Sequence, residues 1–428
     1  MSTSSRPAAD PGSVLADHFP RDLTDAALTH SDASLVLDIT GHGRWTVAVD
    51  DGKAEVTTKV AADPTCTVHT DADTLADLLI GRRSGVDAFL DGDLTTRGSL
   101  ATVLQIGGAF APDIDLVTRP RSREVTACGV RTAYLEAGPA DAPPVVLLHG
   151  LGATNASMLP VLADLAEDFR VLAPDLPGFG ASEAPAWTYT AEQLHRWLRD
   201  FLDTVNADGA VVIGNSLGGR LALELGMRDP DMVDKLVLLC PSPAFRRFRQ
   251  LAPLARWWPV DIARLPTIGL PRRVVMAGAK AMFARPDRVP QPWFEAAVDE
   301  FEIAMAQGAR RRAALSALIN IYIEEPFGDN GFWERLTTVR TPTLFLWGRR
   351  DRLVPSRFAR HVSMAVPTAE SVVLPDCGHV PQLELPDVTM GLTRRFLGSS
   401  RAAPTTYRLP HRRPGLGRPT ARDLPVGP

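Results

Sequence analysis

The chain has 428 residues, more than the ~100 to 200 of one ordinary core, so two domains plus tails are expected. Hydrophobic residues make up 45% and charged residues 22%, ordinary for a globular protein, and a net charge of -4 gives no footing for nucleic-acid binding. The N-terminus MSTSSRPAADPGS has no apolar leader and no run of about 18 apolar residues follows, so neither secretion nor membrane spanning is expected, and a cytoplasmic location fits.

Residues 1–14 are small and polar and are expected to be disordered. From Ser34 apolar residues alternate: Leu35, Leu37 and Ile39, then Trp45, Val47 and Val49, then Ala54 and Val56 beyond Asp51-Gly52. Period-two alternation around Asp-Gly predicts antiparallel strands joined by a hairpin. CTVHT (66–70) reads as a further strand, and TLADLLIG, VDAFLDG and SLATVLQIGGAF read as helices, giving a first domain over 15–116. VTRPRSRE (117–124), charged and carrying a proline, reads as a linker.

The rhythm then changes. PPVVLLHG, FRVLAPD, GAVVIGN, KLVLLCP, PTLFLWG and ESVVLPD are apolar runs of strand length separated by helical segments such as TAEQLHRWLRDFLDTV, over 125–398. Such alternation predicts an α/β fold with a doubly wound, mostly parallel sheet covered on both faces. Residues 243–331 interrupt it with helical sequence rich in Arg and Trp, as an inserted cap would. Its run FRRFRQLAPLARWWPV is basic, aromatic and amphipathic, which suits a solvated cap face or a peripheral membrane contact. The Pro- and Arg-rich tail over 399–428 is expected to be disordered.

Gly214-Asn215-Ser216-Leu217-Gly218 fits G-x-S-x-G after a predicted strand and before a predicted helix. In that elbow the serine is strained into exposure, and Gly214 and Gly218 let strand and helix approach. A serine hydroxyl is a weak nucleophile and needs a base, which in turn needs an orienting carboxylate. PTLFLWG ends in Arg349-Arg350-Asp351 and ESVVLPD leads to His379, both at C-terminal strand ends, where the elbow also opens. KLVLLCP is followed by Pro241-Ser242-Pro243 and offers no acid, so Asp351 is the expected partner of His379. His195 falls in a helix and His149 in a turn, positions that suit structural roles. For a developing oxyanion the backbone N–H groups of Leu217, opening a helix, and Leu151, after the early strand, are the candidates, each worth ~3 to 4 kcal/mol. Cys66, Cys128, Cys240 and Cys377 are scattered without CxxC or close His spacing, so no zinc site or disulfide framework is expected, and a nucleophile within the chain implies no metal or organic cofactor.

Residues 125–398 resemble an α/β-hydrolase through HGLG (149–152), DLPGFGAS (175–182), GNSLGG (214–219), GRRDRLVP (348–355) and DCGHVPQLELP (376–386). The resemblance implies a capped serine hydrolase, since haloalkane dehalogenases and epoxide hydrolases carry aspartate at the elbow. DLPGFGAS and GNSLGG are similar to those of carbon-carbon bond hydrolases acting on ring-cleavage products. Those enzymes usually place Trp after the catalytic His, whereas Val380 stands here beside the short loop HGLGAT, which favours an esterase- or lipase-like reaction. Residues 15–115 resemble a sterol carrier protein 2 (SCP2-type) domain, a smaller α+β unit, through GRWTVAVDDGKAEV (43–56), TDADTLADLLIG (70–81), AFLDGDLTTRG (88–98) and SLATVLQIGGAF (99–110). This resemblance implies a tunnel for an apolar or lipid ligand, with a packed docking module as its rival. Together they lead to the expectation of serine attack on an apolar ester or thioester. Carbon-carbon cleavage is one alternative; lipid binding or transfer beside a non-catalytic hydrolase scaffold is the other. Oligomeric state is not legible.

Overall fold

The computed structural model describes residues 33–50, 53–79, 81–109, 118–243, 270–328 and 330–398. The expected disordered termini and the run FRRFRQLAPLARWWPV lie outside these residues.

The first unit comprises β1 (Ala33–Ile39), β2 (Gly43–Asp50), β3 (Lys53–Thr57), β4 (Cys66–Thr70), helices α1 (Ala72–Leu79) and α2 (Gly85–Asp91), β5 (Thr95–Gly98) and α3 (Leu100–Ala109). The strands form one sheet in the order β3-β2-β1-β4-β5. Asp51-Gly52 lie outside the described residues, but Asp50 stands opposite Lys53, the register of a two-residue hairpin. The alternation read from sequence places Leu35 opposite Val47 and Leu37 opposite Trp45, all buried. The pairing is not purely antiparallel: β1 and β4 run parallel, a long-range pairing that local patterning cannot encode. Ser84 caps α2 by accepting from Asp87 N, and Gly92 closes it in the left-handed region at φ 84.

The second unit is an eight-stranded sheet in the order β13-β12-β11-β10-β8-β9-β7-β6. Its strands are β6 (Arg121–Ala127), β7 (Val130–Ala137), β8 (Pro144–Leu148), β9 (Arg170–Pro174), β10 (Ala210–Asn215), β11 (Val233–Leu239), β12 (Thr343–Gly348) and β13 (Glu370–Leu374). Strands β8 to β13 pair parallel, as their continuous apolar runs predict. The hairpin β6–β7 is antiparallel and overturns part of the linker reading, because residues 121–124 are its first half. Edge pairing explains why charge misled: Arg121 stands opposite Glu136, and Arg131 reaches Glu124 at 2.6 Å on the solvated face.

Helices cover both faces: α4 (Leu159–Leu165), α5 (Ala191–Thr204), α6 (Leu217–Arg228), α11 (Phe358–Ala365), α12 (Pro381–Glu384) and α13 (Pro386–Leu397). In α5 a capping box joins Thr190 and Gln193, and Leu194, Trp197, Leu198 and Phe201 form the buried stripe of an amphipathic helix. Between β11 and β12 come α7 (Arg272–Ala281), α8 (Gln291–Ala306), α9 (Gly308–Ile323) and α10 (Phe332–Leu336), an insertion where the cap was expected. Helix α8 also touches the first unit, with Arg97 Nε bonded to Asp299 Oδ2 at 2.9 Å.

Candidate active site

Strand β10 delivers Ser216 to the start of α6. Its φ of 53 and ψ of -110 lie where few non-glycine residues are found, a conformation that persists only when the surroundings over-determine it. Ser216 N donates to Leu239 O at 3.0 Å, and Ser216 O accepts from Ser242 N at 3.0 Å. The flanking glycines are sterically required: a Cβ on Gly218 would lie 2.2 Å from Leu148 O, and one on Gly214 would lie 2.4 Å from Gly218 C. Strand and helix therefore cross with bare backbone between them.

Asp351 and His379 sit on the loops after β12 and β13. His379 Nδ1 lies 2.7 Å from Asp351 Oδ2, and both side chains are buried. Asp351 Oδ1 accepts from Leu353 N at 2.8 Å and from Val354 N at 2.9 Å, which fixes the carboxylate before it meets the imidazole. An Nδ1–H donated to Asp351 leaves Nε2 with its lone pair, the tautomer a general base needs. Ser216 Oγ and the imidazole are not hydrogen-bonded in this structure; such bonds commonly tighten only around substrate. Asn215, next to the serine, ties the elbow to the histidine loop and to the end of β11, its Nδ2 donating to Leu239 O at 2.9 Å and to His379 O at 3.1 Å.

The loop carrying Leu151 abuts the elbow. A Cβ on Gly150 would fall 3.4 Å from Ser216 Cβ, so this backbone borders the serine. Leu217 opens α6, where the first N–H groups have no intrahelical acceptor and the helix dipole favours negative charge.

Two residues of the quoted motifs, given no catalytic role above, hold that loop. Asp175 accepts from Asn155 N at 2.8 Å and from Ala181 N at 2.8 Å. His149 Nδ1 donates to Gly150 O at 2.8 Å while Nε2 accepts from Leu176 N at 2.9 Å. Burial pushes the Asp175 carboxyl up to about 7, although both N–H bonds oppose the shift. Burial also drives His149 down to about 4, so its ring is neutral and structural. Their motif spacing was visible in sequence; the contact across 27 residues between His149 and Leu176 was not.

Sequence spacing also concealed Cys240, whose Sγ lies with the donor atoms of Asp351 and His379 inside 4.8 Å of one another. Burial and the nearby Asp351 charge push this thiol well above its ordinary range, so the thiolate a metal would need is disfavoured. Gly348 N donates to its sulfur at 3.4 Å, a packing role at the base of the site. Among the described residues no helix is long and apolar enough to cross a membrane.

Residues 145–391 match the model of the alpha/beta hydrolase family, and residues 15–111 match that of the SCP-2 sterol transfer family. The chain is 31% identical over 280 residues to 2-hydroxy-6-oxo-6-(2'-aminophenyl)hexa-2,4-dienoic acid hydrolase of Metapseudomonas resinovorans, covering 64% of this chain and 90% of that protein. It is 30% identical to a pimeloyl-[acyl-carrier protein] methyl ester esterase of Aromatoleum aromaticum, covering 57% of this chain and 94% of the other. Among solved structures, 2-hydroxy-6-oxo-6-phenylhexa-2,4-dienoate hydrolase from Rhodococcus sp. strain RHA1 superposes with a TM-score of 0.54 at 25% identity, covering 66% of this chain and 99% of the other. The fold, the ordered motifs and a match over more than half its length agree: this chain is an enzyme of the alpha/beta hydrolase family, with an SCP-2 type domain at its N-terminal end.

Proposed function

We propose that Ser216 attacks a substrate carbonyl, that His379 takes the serine proton and returns it to the leaving group, and that Asp351 orients and stabilises the imidazolium. The N–H groups of Leu217 and Leu151 receive the oxyanion. The observation that carries this reading is the 2.7 Å contact of a buried His379–Asp351 pair, tied through Asn215 to a serine in elbow geometry. Water then resolves the acyl-enzyme, and His379 serves as base for the second half-reaction.

The substrate class is an apolar ester or thioester, with the N-terminal unit over 15–116 holding a lipid-like ligand and the insertion over 243–331 shaping the entrance. An apolar cavity built mostly from that unit, and closed by Pro120 and Leu159, supports the lipid reading. It is lined by Leu35, Leu37, Val68, Phe89, Leu100 and Leu104 among others, with Thr96 in its wall. The resemblance to a methyl ester esterase supports the reaction type.

Carbon-carbon cleavage is the second reading, favoured by the 31% identity to a dienoic acid hydrolase. Val380 after His379 separates the chain from the pattern usual for those enzymes. A direct comparison decides: kcat/KM on p-nitrophenyl esters of graded chain length beside a 2-hydroxy-6-oxo-dienoate. The ester reading predicts turnover that rises with chain length and outpaces the dienoate. Faster turnover of the dienoate would replace it with carbon-carbon hydrolysis.

A further inference from the structure

Helix α8 packs at one end against residues that line the N-terminal cavity and at the other against the cluster beside His379. On the cavity side, Phe89 stacks on Trp293 with ring centroids 5.7 Å apart and planes 7° from parallel, and Trp293 Nε1 donates to Phe89 O at 3.2 Å. Glu300 Oε1 accepts from Leu100 N at 2.6 Å and Ala101 N at 3.2 Å, so a cap-helix carboxylate closes the N-terminus of α3. Asp299 Oδ2 accepts from Gly98 N at 2.8 Å. Phe89 and Leu100 line the cavity, so α8 grips the side of the cavity built from α2 and α3.

On the catalytic side, Phe294 of the same helix packs edge-on against Phe283 at 5.1 Å, in a cluster that includes Val380. Met282 O accepts from His379 N at 2.7 Å. Glu384 binds Ala284 N at 3.2 Å and Gly378 N at 2.6 Å, locking the end of α7 to the histidine loop. An unbroken series of packed and hydrogen-bonded groups thus runs from the cavity wall to His379.

The cavity itself points to a ligand. Thr96 is 1% exposed, lines the cavity, and its Oγ1 has no hydrogen-bond partner among the described residues, which is costly in an apolar setting. The free volume is about 100 Å³, smaller than the ~150 Å³ cavity that accommodates benzene. An acyl chain therefore cannot enter without displacing the wall. Leu35, Leu37 and Val68 are fixed in the sheet; the rest of the wall comes from α1, α2, α3, Pro120 and Leu159 of α4, and α8 holds the part built from α2 and α3.

We infer that this cavity is an effector site: an amphipathic lipid, with its chain among the leucines and a hydroxyl or carboxyl head on Thr96, shifts α8 and resets His379. The inference rests on the reading of Ser216 and His379 as the hydrolytic site, and adds that a ligand which is not the substrate regulates it. A ligand can shift α8 only by binding a displaced wall better than the arrangement seen here, and a chain that needs more room than the cavity offers does so.

The test uses the full chain and cis-parinaric acid, a fluorescent fatty acid, with hydrogen exchange of residues 282–294 and 376–384 as readout. Saturating probe is expected to change exchange at the His379 amide by about fivefold or more, and the hydrolysis rate of p-nitrophenyl acetate with it. Trp293→Ala and the gentler Glu300→Gln should keep probe fluorescence and lose the exchange response. Leu104→Trp, filling the cavity, should lose both. Absence of binding, binding without altered exchange at 376–384, a response undiminished in both α8 variants, or one that survives Leu104→Trp would each overturn the inference. An exchange response without any ester hydrolysis would sustain the coupling and remove the hydrolytic reading instead.

Discussion

Ser216, Asp351 and His379 are held by backbone more than by one another, so substitutions at them should alter chemistry with little effect on folding. Asp351→Asn keeps the shape but presents an amide to Nδ1 and selects the wrong tautomer; kcat is expected to fall by about 10³ to 10⁴ with an unchanged melting temperature. Asp175 acts at one remove, through the loop that carries Leu151. Its raised pKa has a definite sign: the associated stability is present below 3.8 and lost as pH rises through about 7. For His149, lowered to about 4, the stability is present above 6.5 and lost as pH falls through about 4. The two windows oppose each other. Asp175→Asn breaks one of the two N–H bonds, should cost about 1 to 3 kcal/mol near neutral pH, and should remove the alkaline-side decline in a series of melting curves from pH 4 to 8. Ser216, Asp351 and His379 were legible as candidates because a serine, a carboxylate and an imidazole each stand at a strand end in the order the proposed chemistry requires. His149 read as a structural turn residue, but its partner Leu176 was not legible, and Asp175 and Cys240 carried no role in sequence, because their partners are remote along the chain.

At the scale of elements, the elbow and the cap anchor are the two joints that matter. Gly218→Ala would drive a methyl into Leu148 O, and the crossing of β10 and α6 has no flexible side chain to yield; a loss of about 3 kcal/mol in denaturant unfolding is expected. The cap is fastened by a buried ionic cluster. Glu224 on α6 meets Arg220 at 2.8 Å, Arg228 at 3.0 Å and Arg335 of α10 at 2.8 Å, and Glu324, just after α9, reaches Arg335 at 2.7 Å. Burial alone would raise the Glu224 pKa, but the guanidiniums of Arg220 and Arg335 carry it down to about 2. Its contribution is therefore present above 4.5 and lost as pH falls through about 2. Glu224→Gln leaves three guanidiniums around an uncharged amide and should destabilise by about 3 to 5 kcal/mol in the same assay. Strands β8 to β13 were legible because burial on both faces writes a continuous apolar run. The hairpin β6–β7 was hidden by its solvated, charged face, and β5, TTRG, by its brevity.

At the scale of the molecule, two units that could each have been read alone are joined through α8. Composition and periodicity reveal where the units lie, but not that cap carboxylates complete the backbone hydrogen bonding of the N-terminal unit, because Glu300 and Leu100 are 200 residues apart. The proposed hydrolysis depends on Ser216 being a nucleophile. The most direct measurement is incubation of the full chain with a fluorophosphonate, followed by peptide mass spectrometry. The prediction is one adduct, on Ser216, absent from Ser216→Ala and strongly slowed in His379→Ala. An unmodified chain, or an adduct that persists in Ser216→Ala, would contradict it.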